Sequence, residues 1–153
     1  MNQLLKAIIF KINEQKYGVN VNDVRSIEKL HEITQLPQTS TFVKGVINLR
    51  DEVIPIIDLK ELLSLGKTTQ TEETRILIVQ IRSRQVGIIV DAATDVIDIH
   101  LSVVDSPPEI TQTKNNHIVK GVAKVDDELL IIVQFEKLFD EEQLVHLETL
   151  HTV

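Results

Sequence analysis

The sequence predicts a mainly β protein built from two small barrels that pack on each other. Two observations lead to this prediction: the apolar residues are mostly β-branched, and the two halves of the chain repeat each other. Ile, Val and Leu supply 55 of the 65 apolar residues in a chain of 153, with 20 Ile and 18 Val against 4 Ala. Because β-branched side chains fit strands better than helices, strands should dominate.

The repeat is clearest in the second part of each half. Residues 44–63 align without gaps with residues 120–139, and 7 of the 20 positions are identical. Further upstream, residues 8–21 align with residues 77–90, which places Gly18 opposite Gly87. Self-similarity of this kind predicts one module per half, at about 1–68 and 69–153, within a single domain 1–153. Neither half is large enough for a substantial core, so a shared apolar core is expected.

Each module is predicted to hold a hairpin, a connecting segment, a second hairpin and a short helix. In the first strand, Ile8, Phe10 and Ile12 alternate onto one face. The first hairpin turns are placed at residues 13–16 and 82–85. The second hairpin turns are placed at Asp51-Glu52 and at residues 126–128.

Helices and connections follow from local signals. Asp58 and Glu61 match a capping box for a helix from Leu59 to Leu65 that stops at Gly66. A second capping box, Asp140 with Gln143, predicts a C-terminal helix. The Thr-rich stretch 67–74 is the candidate linker between the halves, and residues 105–116, with two prolines, form a candidate loop.

The formal net charge of −7 arises entirely from the end of the chain. Residues 1–125 hold 15 acids and 15 bases, whereas residues 126–153 hold 8 acids and 1 base. A neutral body with 3% aromatic residues argues against a nucleic-acid partner. The lack of cysteine excludes disulfides and thiol catalysis and favours a cytoplasmic location. The longest uncharged apolar run, residues 129–135, is far too short to span a membrane.

Few residues point to catalysis. The five histidines are badly spaced for metal ligation, so neither a metal site nor a cofactor is expected. Asp91 and Asp95 could form a carboxylate pair, but Asp at a strand end more often bonds backbone amides. A ligand-binding or hydrolytic barrel using Asp58, Asp91 or His117 remains an alternative, and it requires those side chains to converge in one pocket.

The segment from Gly45 to Asp58 is the richest candidate for binding. Asn48, Leu49 and Arg50 end a predicted strand just before a turn. In one interpretation Arg50 simply pairs with the adjacent Asp51 and Glu52. In the other, its planar guanidinium is presented to acidic or amide groups of a protein partner.

The segment GVINLRDEVIPIIDL is preceded by KYGVNVNDVRSIEK and followed by QVGIIVDAATDVI and KGVAKVDDELLIIV. Over about residues 5–140, this series resembles the CheW-type coupling domain of bacterial chemotaxis. The resemblance implies two SH3-like five-stranded β-barrels on a shared apolar core, with short helices and a C-terminal helix. In that family the N-terminal strand can cross between barrels, so the sequence halves need not be the spatial units.

The resemblance also implies a function without catalysis. The expected role is an adaptor that joins the cytoplasmic tips of chemoreceptors to the regulatory domain of the histidine kinase CheA, with membrane association only through the receptors. An adaptor of the same family for another kinase pathway is the alternative. The implied receptor or partner residues are Val24, Ser26, Gly45, Asn48, Leu49 and Arg50. Gly87, Asp91 and Gly121 are the implied structural motif residues.

Two positions depart from the commonest family pattern. Asp51 stands where Gly follows the N-L-R motif, and Ser26 stands where the V-x-E-I motif has Glu. Asp tolerates positive φ better than most residues, so the turn at Asp51 is expected to survive. Ser26 removes a carboxylate from the expected receptor face.

Overall fold

The computed structural model describes residues 3–37, 43–106 and 118–139. Most of these residues lie in strands, which confirms the mainly β prediction. The strands are β1 (Leu4–Ile12), β2 (Gln15–Asn20), β3 (Val24–Lys29), β4 (Val43–Leu49), β5 (Glu52–Asp58), β6 (Arg75–Ile81), β7 (Arg84–Val90), β8 (Ala92–His100), β9 (Val104–Asp105), β10 (Val119–Val125) and β11 (Glu128–Val133). The helix α1 (Leu59–Leu62) follows β5, and 3-10 turns occupy Val21–Asp23, Leu101–Val103 and Phe135–Lys137.

The strands form two sheets that exchange hairpins between the halves of the chain. One sheet has six strands in the order β8-β1-β2-β11-β10-β9, and the other has five in the order β3-β6-β7-β5-β4. The hairpin β1–β2 joins β11 through a parallel pair, and the hairpin β6–β7 joins β5 through an equivalent parallel pair. The first hairpin of each half therefore completes the barrel that contains the second hairpin of the other half.

The extra strand of the larger barrel is β9, which has only two residues and pairs at the outer edge of β10. The larger barrel thus has six strands where five were expected. We call the two units the six-stranded barrel and the five-stranded barrel.

The described residues form three apolar clusters. The largest takes residues from both sheets, including Phe10, Tyr17 and Val133 from the six-stranded barrel and Leu77 and Ile88 from the five-stranded one. Two smaller clusters fill the individual barrels. One face of β1 lies in the shared cluster, and the other face lies in the core of its own barrel. Burial on both faces explains the unbroken apolar run from Ala7 to Phe10 within this strand.

Three of the four hairpin turns are shorter than the sequence patterns predicted, and the fourth is displaced by one residue. Each consists of two residues, because Gln15, Glu52, Arg84 and Glu128 already pair as the first residues of their strands. Both turn residues have positive φ in three of the four hairpins. This conformation is that of a type I′ turn, whose twist matches that of the flanking strands. The second hairpin of the first half therefore turns at Arg50 and Asp51, not at Asp51 and Glu52.

Helix α1 starts as predicted and ends early. The Asp58 side chain accepts a hydrogen bond from the Lys60 amide, which confirms it as the N-cap. Glu61, the second residue of the predicted capping box, forms an ion pair with Lys44. The helix ends at Leu62 because Ser64 adopts φ +60°, two residues before the predicted stop at Gly66.

Hydrogen bonds hold the Thr-rich stretch 67–74 against the rest of the fold. Thr68 donates from both its amide and its hydroxyl to the Asp58 carboxylate, at 2.9 and 2.7 Å. Thr74 is buried and accepts a hydrogen bond from the Thr71 amide. The stretch is therefore an ordered connection, although it has no apolar anchor. The predicted loop 105–116 and the predicted C-terminal helix lie largely or wholly outside the described residues.

A polar junction joins the two barrels where β7 passes into β8. Asp91 lies between these strands, accepts a hydrogen bond from the Asn13 amide at 2.8 Å and pairs with the buried Lys60 ammonium at 3.0 Å. Asn13 belongs to the six-stranded barrel and Lys60 to the helix after β5. Asp91 thus bonds a backbone amide, as expected of Asp at a strand end, but that amide is distant in sequence. No helix in the described part of the chain is long and apolar enough to cross a membrane.

Candidate functional site

Arg50 occupies an exposed turn at one end of the five-stranded barrel. It is the first residue of the β4–β5 turn, with φ +50°, and Asp51 follows with φ +68°. Asp51 therefore adopts the positive φ that Gly usually supplies, as expected from its tolerance of this conformation. The Arg50 side chain is 75% exposed, so its guanidinium is available to a partner.

The acidic neighbour of Arg50 is Glu28, not the acids next to it in sequence. Arg50 Nη2 lies 3.7 Å from Glu28 Oε2, across the barrel opening from β3. Glu52 instead accepts a hydrogen bond from Gln85 Nε2 at 2.6 Å. The Glu28 side chain is only 16% exposed and also lies 3.9 Å from His31 Nε2. A mostly covered carboxylate therefore lies beside a largely exposed guanidinium.

Strand β3 carries Val24, Ser26 and Glu28 on its less exposed side. Val24 packs against the shared apolar cluster. Ser26 pairs with Ile78 of β6, immediately after a bulge that separates it from Val24. Since side chains alternate along a strand, Ser26 and Glu28 lie on one face, and Glu28 brings that face to Arg50.

The other three predicted binding residues lie on β4. Asn48 is exposed, whereas Leu49 is buried in the core of the five-stranded barrel. Gly45 has φ +149°, and an added Cβ would collide with the Thr34 carbonyl oxygen. Thr34 and Val46 exchange backbone hydrogen bonds of 2.9 Å at this point. Gly45 thus permits the close approach of the segment after β3, whereas Asn48 and Arg50 face solvent.

The predicted structural glycines lie at two close strand contacts. A Cβ at Gly87 would overlap Ile56 Cδ1 and approach Ile76 Cγ2 to 2.9 Å. A Cβ at Gly121 would lie 2.5 Å from Val104 Cγ1 and 2.8 Å from the Asp105 carbonyl oxygen. Both positions leave no room for a side chain.

The residues of the hydrolytic alternative do not converge as far as the structure describes them. Asp58 lines a cavity with Leu30, His31 and Lys44, whereas Asp91 lines a different cavity with Asn13 and Lys60. Both Asp58 oxygens already accept hydrogen bonds. His117 lies outside the described residues. Over the described ranges, no group of three His, Asp or Glu side chains is arranged to hold a metal ion.

The 3-10 turn before β3 places one perturbed carboxyl group beside Val24. Partial burial raises the pKa of Asp23, the nearby Glu136 carboxylate raises it further, and Lys120 opposes both. Asp23 and Glu136 lie in segments that belong to different halves of the chain. Their repulsion therefore acts where the two halves meet.

Sequence patterns missed Glu28 as a member of the site. The signal was present in the segment VRSIEK, because Glu28 lies two residues after Ser26 and so on the same strand face. Its contact with Arg50 depends on barrel closure, which brings β3 to the β4–β5 turn. That closure could not be derived from spacing alone.

Comparisons with known proteins find matches that cover nearly the whole chain. The family model described as the CheW-like domain matches residues 6–143. The chain is 39% identical to the chemotaxis protein CheW of Bacillus subtilis over 137 residues, which are 90% of this chain and 88% of that protein. It is 32% identical to the probable chemotaxis protein CheW of Rhizobium etli, over 90% of this chain and 89% of that protein.

A solved structure gives the same result for the fold. The crystal structure of the scaffolding protein TtCheW from Thermoanaerobacter tengcongensis superposes with a TM-score of 0.82 at 38% identity, covering 90% of this chain and 89% of that one. The fold, the family model and the close relatives together show that this chain belongs to the CheW-like family.

Proposed function

We propose that this protein is a non-catalytic adaptor that couples the cytoplasmic tips of chemoreceptors to the histidine kinase CheA in chemotaxis signalling. The proposal places it in the cytoplasm, associated with the membrane only through the receptors. Its main support is the exposed Arg50 guanidinium beside the packed Glu28 carboxylate, on a chain of the CheW-like family.

The chemistry of this site fits protein binding. A guanidinium can donate two parallel hydrogen bonds to a carboxylate or to amide oxygens of a partner. Glu28 limits the positions that the flexible Arg50 side chain samples, which lowers the entropy lost on binding. Asn48 adds an exposed amide on the strand that leads to the turn. We propose Val24, Ser26, Gly45, Asn48, Leu49 and Arg50 as the receptor-binding segment, with the buried members holding its shape.

Co-sedimentation tests this function. The purified protein is mixed with a receptor cytoplasmic fragment and the cognate kinase, and the pellet is assayed for all three components. We expect the protein in the pellet and a dependence of kinase recovery on its presence. If it stays in the supernatant while an established CheW adaptor pellets under the same conditions, the proposed function is wrong.

A further inference from the structure

The polar junction between the two barrels is built from contacts around Asp91. The Asp91 carboxylate accepts a hydrogen bond from the Asn13 amide at 2.8 Å and pairs with the Lys60 ammonium at 3.0 Å. The Asp91 amide donates to the Lys11 carbonyl oxygen at 3.0 Å, and Asn13 Nδ2 donates to the Leu65 carbonyl oxygen at 3.1 Å. Lys11 and Asn13 belong to the β1–β2 hairpin of the six-stranded barrel, whereas Lys60 and Leu65 follow β5 of the five-stranded barrel.

The ion pair at the centre of the polar junction is mostly shielded from water. The Lys60 side chain is 11% exposed and the Asp91 side chain is 26% exposed. Removing two charges from water costs much of the free energy that their attraction returns, so a buried pair adds little to stability. Its attraction nevertheless depends on distance, and a rotation of one barrel against the other would separate Lys60 from Asp91. The pair therefore favours one orientation of the barrels without contributing much to folding.

The shared apolar cluster does not select an orientation in the same way. It contains residues of both barrels, and the free energy of burying their apolar surface has no preferred direction. A core that keeps its volume and its pattern can lose a unique arrangement before it loses stability. The polar junction is thus suited to select one arrangement of two barrels that the shared cluster holds together.

The repeat shows that the fold closes at the equivalent place without this ion pair. In the alignment of the second parts of the two halves, Lys60 corresponds to Glu136. One residue beyond the upstream alignment, Asp91 corresponds to Asn22. Glu136 and Asn22 cannot form an ion pair with each other, yet the parallel strand pairs β11–β2 and β5–β7 form alike. Lys60 and Asp91 are therefore expected to serve a purpose other than folding.

We propose that Lys60 and Asp91 are positioning residues that fix the orientation of the two barrels, so that the adaptor holds two different proteins in a defined relation. The inference rests on the proposed function, because a fixed angle between the barrels matters most to a protein that binds two partners at once. Neither residue contacts a partner. Loss of the pair should therefore leave stability and receptor binding alone nearly unchanged, and it should weaken assembly of the three proteins.

Spin labels on the two barrels measure the orientation directly. The chain has no cysteine, so Lys29→Cys on β3 and Lys124→Cys on β10, both at exposed positions, attach one label to each barrel. Double electron–electron resonance then gives the distribution of distances between the labels. Lys60→Met with Asp91→Asn removes both charges, keeps the approximate size of both side chains and leaves an oxygen that can accept from the Asn13 amide. This double variant should widen the distribution about twofold and unfold at a temperature close to that of the wild type.

The matched control removes an ion pair that lies within one barrel. Lys44 of β4 pairs with Glu61 of α1, and both belong to the five-stranded barrel. Lys44→Met with Glu61→Gln should leave the distance distribution unchanged. Lys60→Arg, which preserves the charge opposite Asp91, should keep the narrow distribution of the wild type. Equal widening in the control, or a large loss of thermal stability in the variant without the Lys60–Asp91 pair, would overturn the inference.

Co-sedimentation separates the inference from the proposed function. The variant without the Lys60–Asp91 pair should bind the receptor fragment within about twofold of the wild type when no kinase is present. With receptor fragment and kinase together, it should recover about threefold less kinase in the pellet. If the wild type pellets with both proteins, an unchanged distance distribution or an unchanged kinase recovery overturns the inference alone. If the wild type does not pellet, the proposed function is wrong and the inference fails with it.

Discussion

Arg50 is the residue on which receptor binding should depend most directly. Its side chain is largely exposed, and among the described residues it forms an ion pair with Glu28. Replacement by Ala should therefore change the free energy of unfolding by less than about 0.5 kcal/mol. Loss of a charge-assisted hydrogen bond to a partner should cost about 1 to 3 kcal/mol of receptor binding.

Thermal unfolding and receptor sedimentation measure these two effects for Arg50→Ala. Lys6→Ala, which removes an exposed cation from the six-stranded barrel, serves as the control and should retain receptor binding. A large loss of thermal stability in Arg50→Ala would instead assign Arg50 a structural role.

Glu28 should act as a positioning residue for Arg50. The 3.7 Å separation and the exposure of Arg50 limit their coupling to about 0.5 kcal/mol. Glu28→Gln should weaken receptor binding by about that amount when Arg50 is present and have no effect in the Arg50→Ala background. A double-mutant cycle on receptor affinity measures this coupling. Equal losses in both backgrounds would mean that Glu28 contacts the receptor independently.

Asp23 should make the stability of the protein depend on pH. Burial and Glu136 raise the pKa of Asp23 in the folded state, so the folded state holds this proton more tightly than the unfolded state does. The stabilisation from proton uptake is present below the unfolded-state pKa and is lost as pH rises through the raised folded-state pKa. At neutral pH the ionised Asp23 therefore opposes folding.

Asp23→Asn should accordingly be more stable than the wild type at pH 7, and the difference should shrink as pH falls through the raised folded-state pKa and vanish below the ordinary Asp pKa of about 4. Thermal unfolding across this range tests the sign. Glu136→Gln should lower the pKa of Asp23 in an NMR titration of its carboxyl carbon. An unchanged titration would exclude Glu136 as a cause.

At the scale of elements, the parallel strand contacts at Gly18 and Gly87 form a natural pair. A Cβ at Gly87 would overlap Ile56 Cδ1, whereas a Cβ at Gly18 would lie 3.3 Å from Ile132 Cδ1. Gly87→Ala should destabilise the protein by about 1 to 3 kcal/mol through overpacking. For Gly18→Ala, a small steric cost is offset by the lower entropy of the unfolded chain, so the net change should be near zero.

Urea unfolding of both variants tests this order. The measurement requires equal m-values, so that midpoints report stability. Similar losses in the two variants would show that the strand spacing at these equivalent positions is the same, contrary to the contacts described above.

Sequence patterns predicted the hairpins well because local alternation and turn residues determine them. They made three of the turns one or two residues too long and displaced the turn at Arg50 by one residue, since positive φ at Glu14 or Arg50 is not signalled by residue type. They also extended α1 by three residues, because Gly66 was a stronger stop signal than Ser64. The repeat alignment identified equivalent strands but gave no information on which hairpins pair, since that depends on long-range packing.

At the scale of the whole molecule, the exchange of hairpins makes each half dependent on the other. A fragment of residues 1–68 holds β1 and β2 without their neighbours β8 and β11, and β5 without its neighbour β7. This fragment would expose one side of the shared apolar cluster to water. Its hairpins would also be isolated, and an isolated two-stranded hairpin is only marginally stable in water. Fragments 1–68 and 69–153 should therefore each remain unfolded alone. The intact chain should unfold in one transition seen equally by far-UV circular dichroism and by Tyr17 fluorescence. Folding of either fragment, judged by well-dispersed amide resonances, would contradict a shared core, whereas folding only after mixing would support it directly.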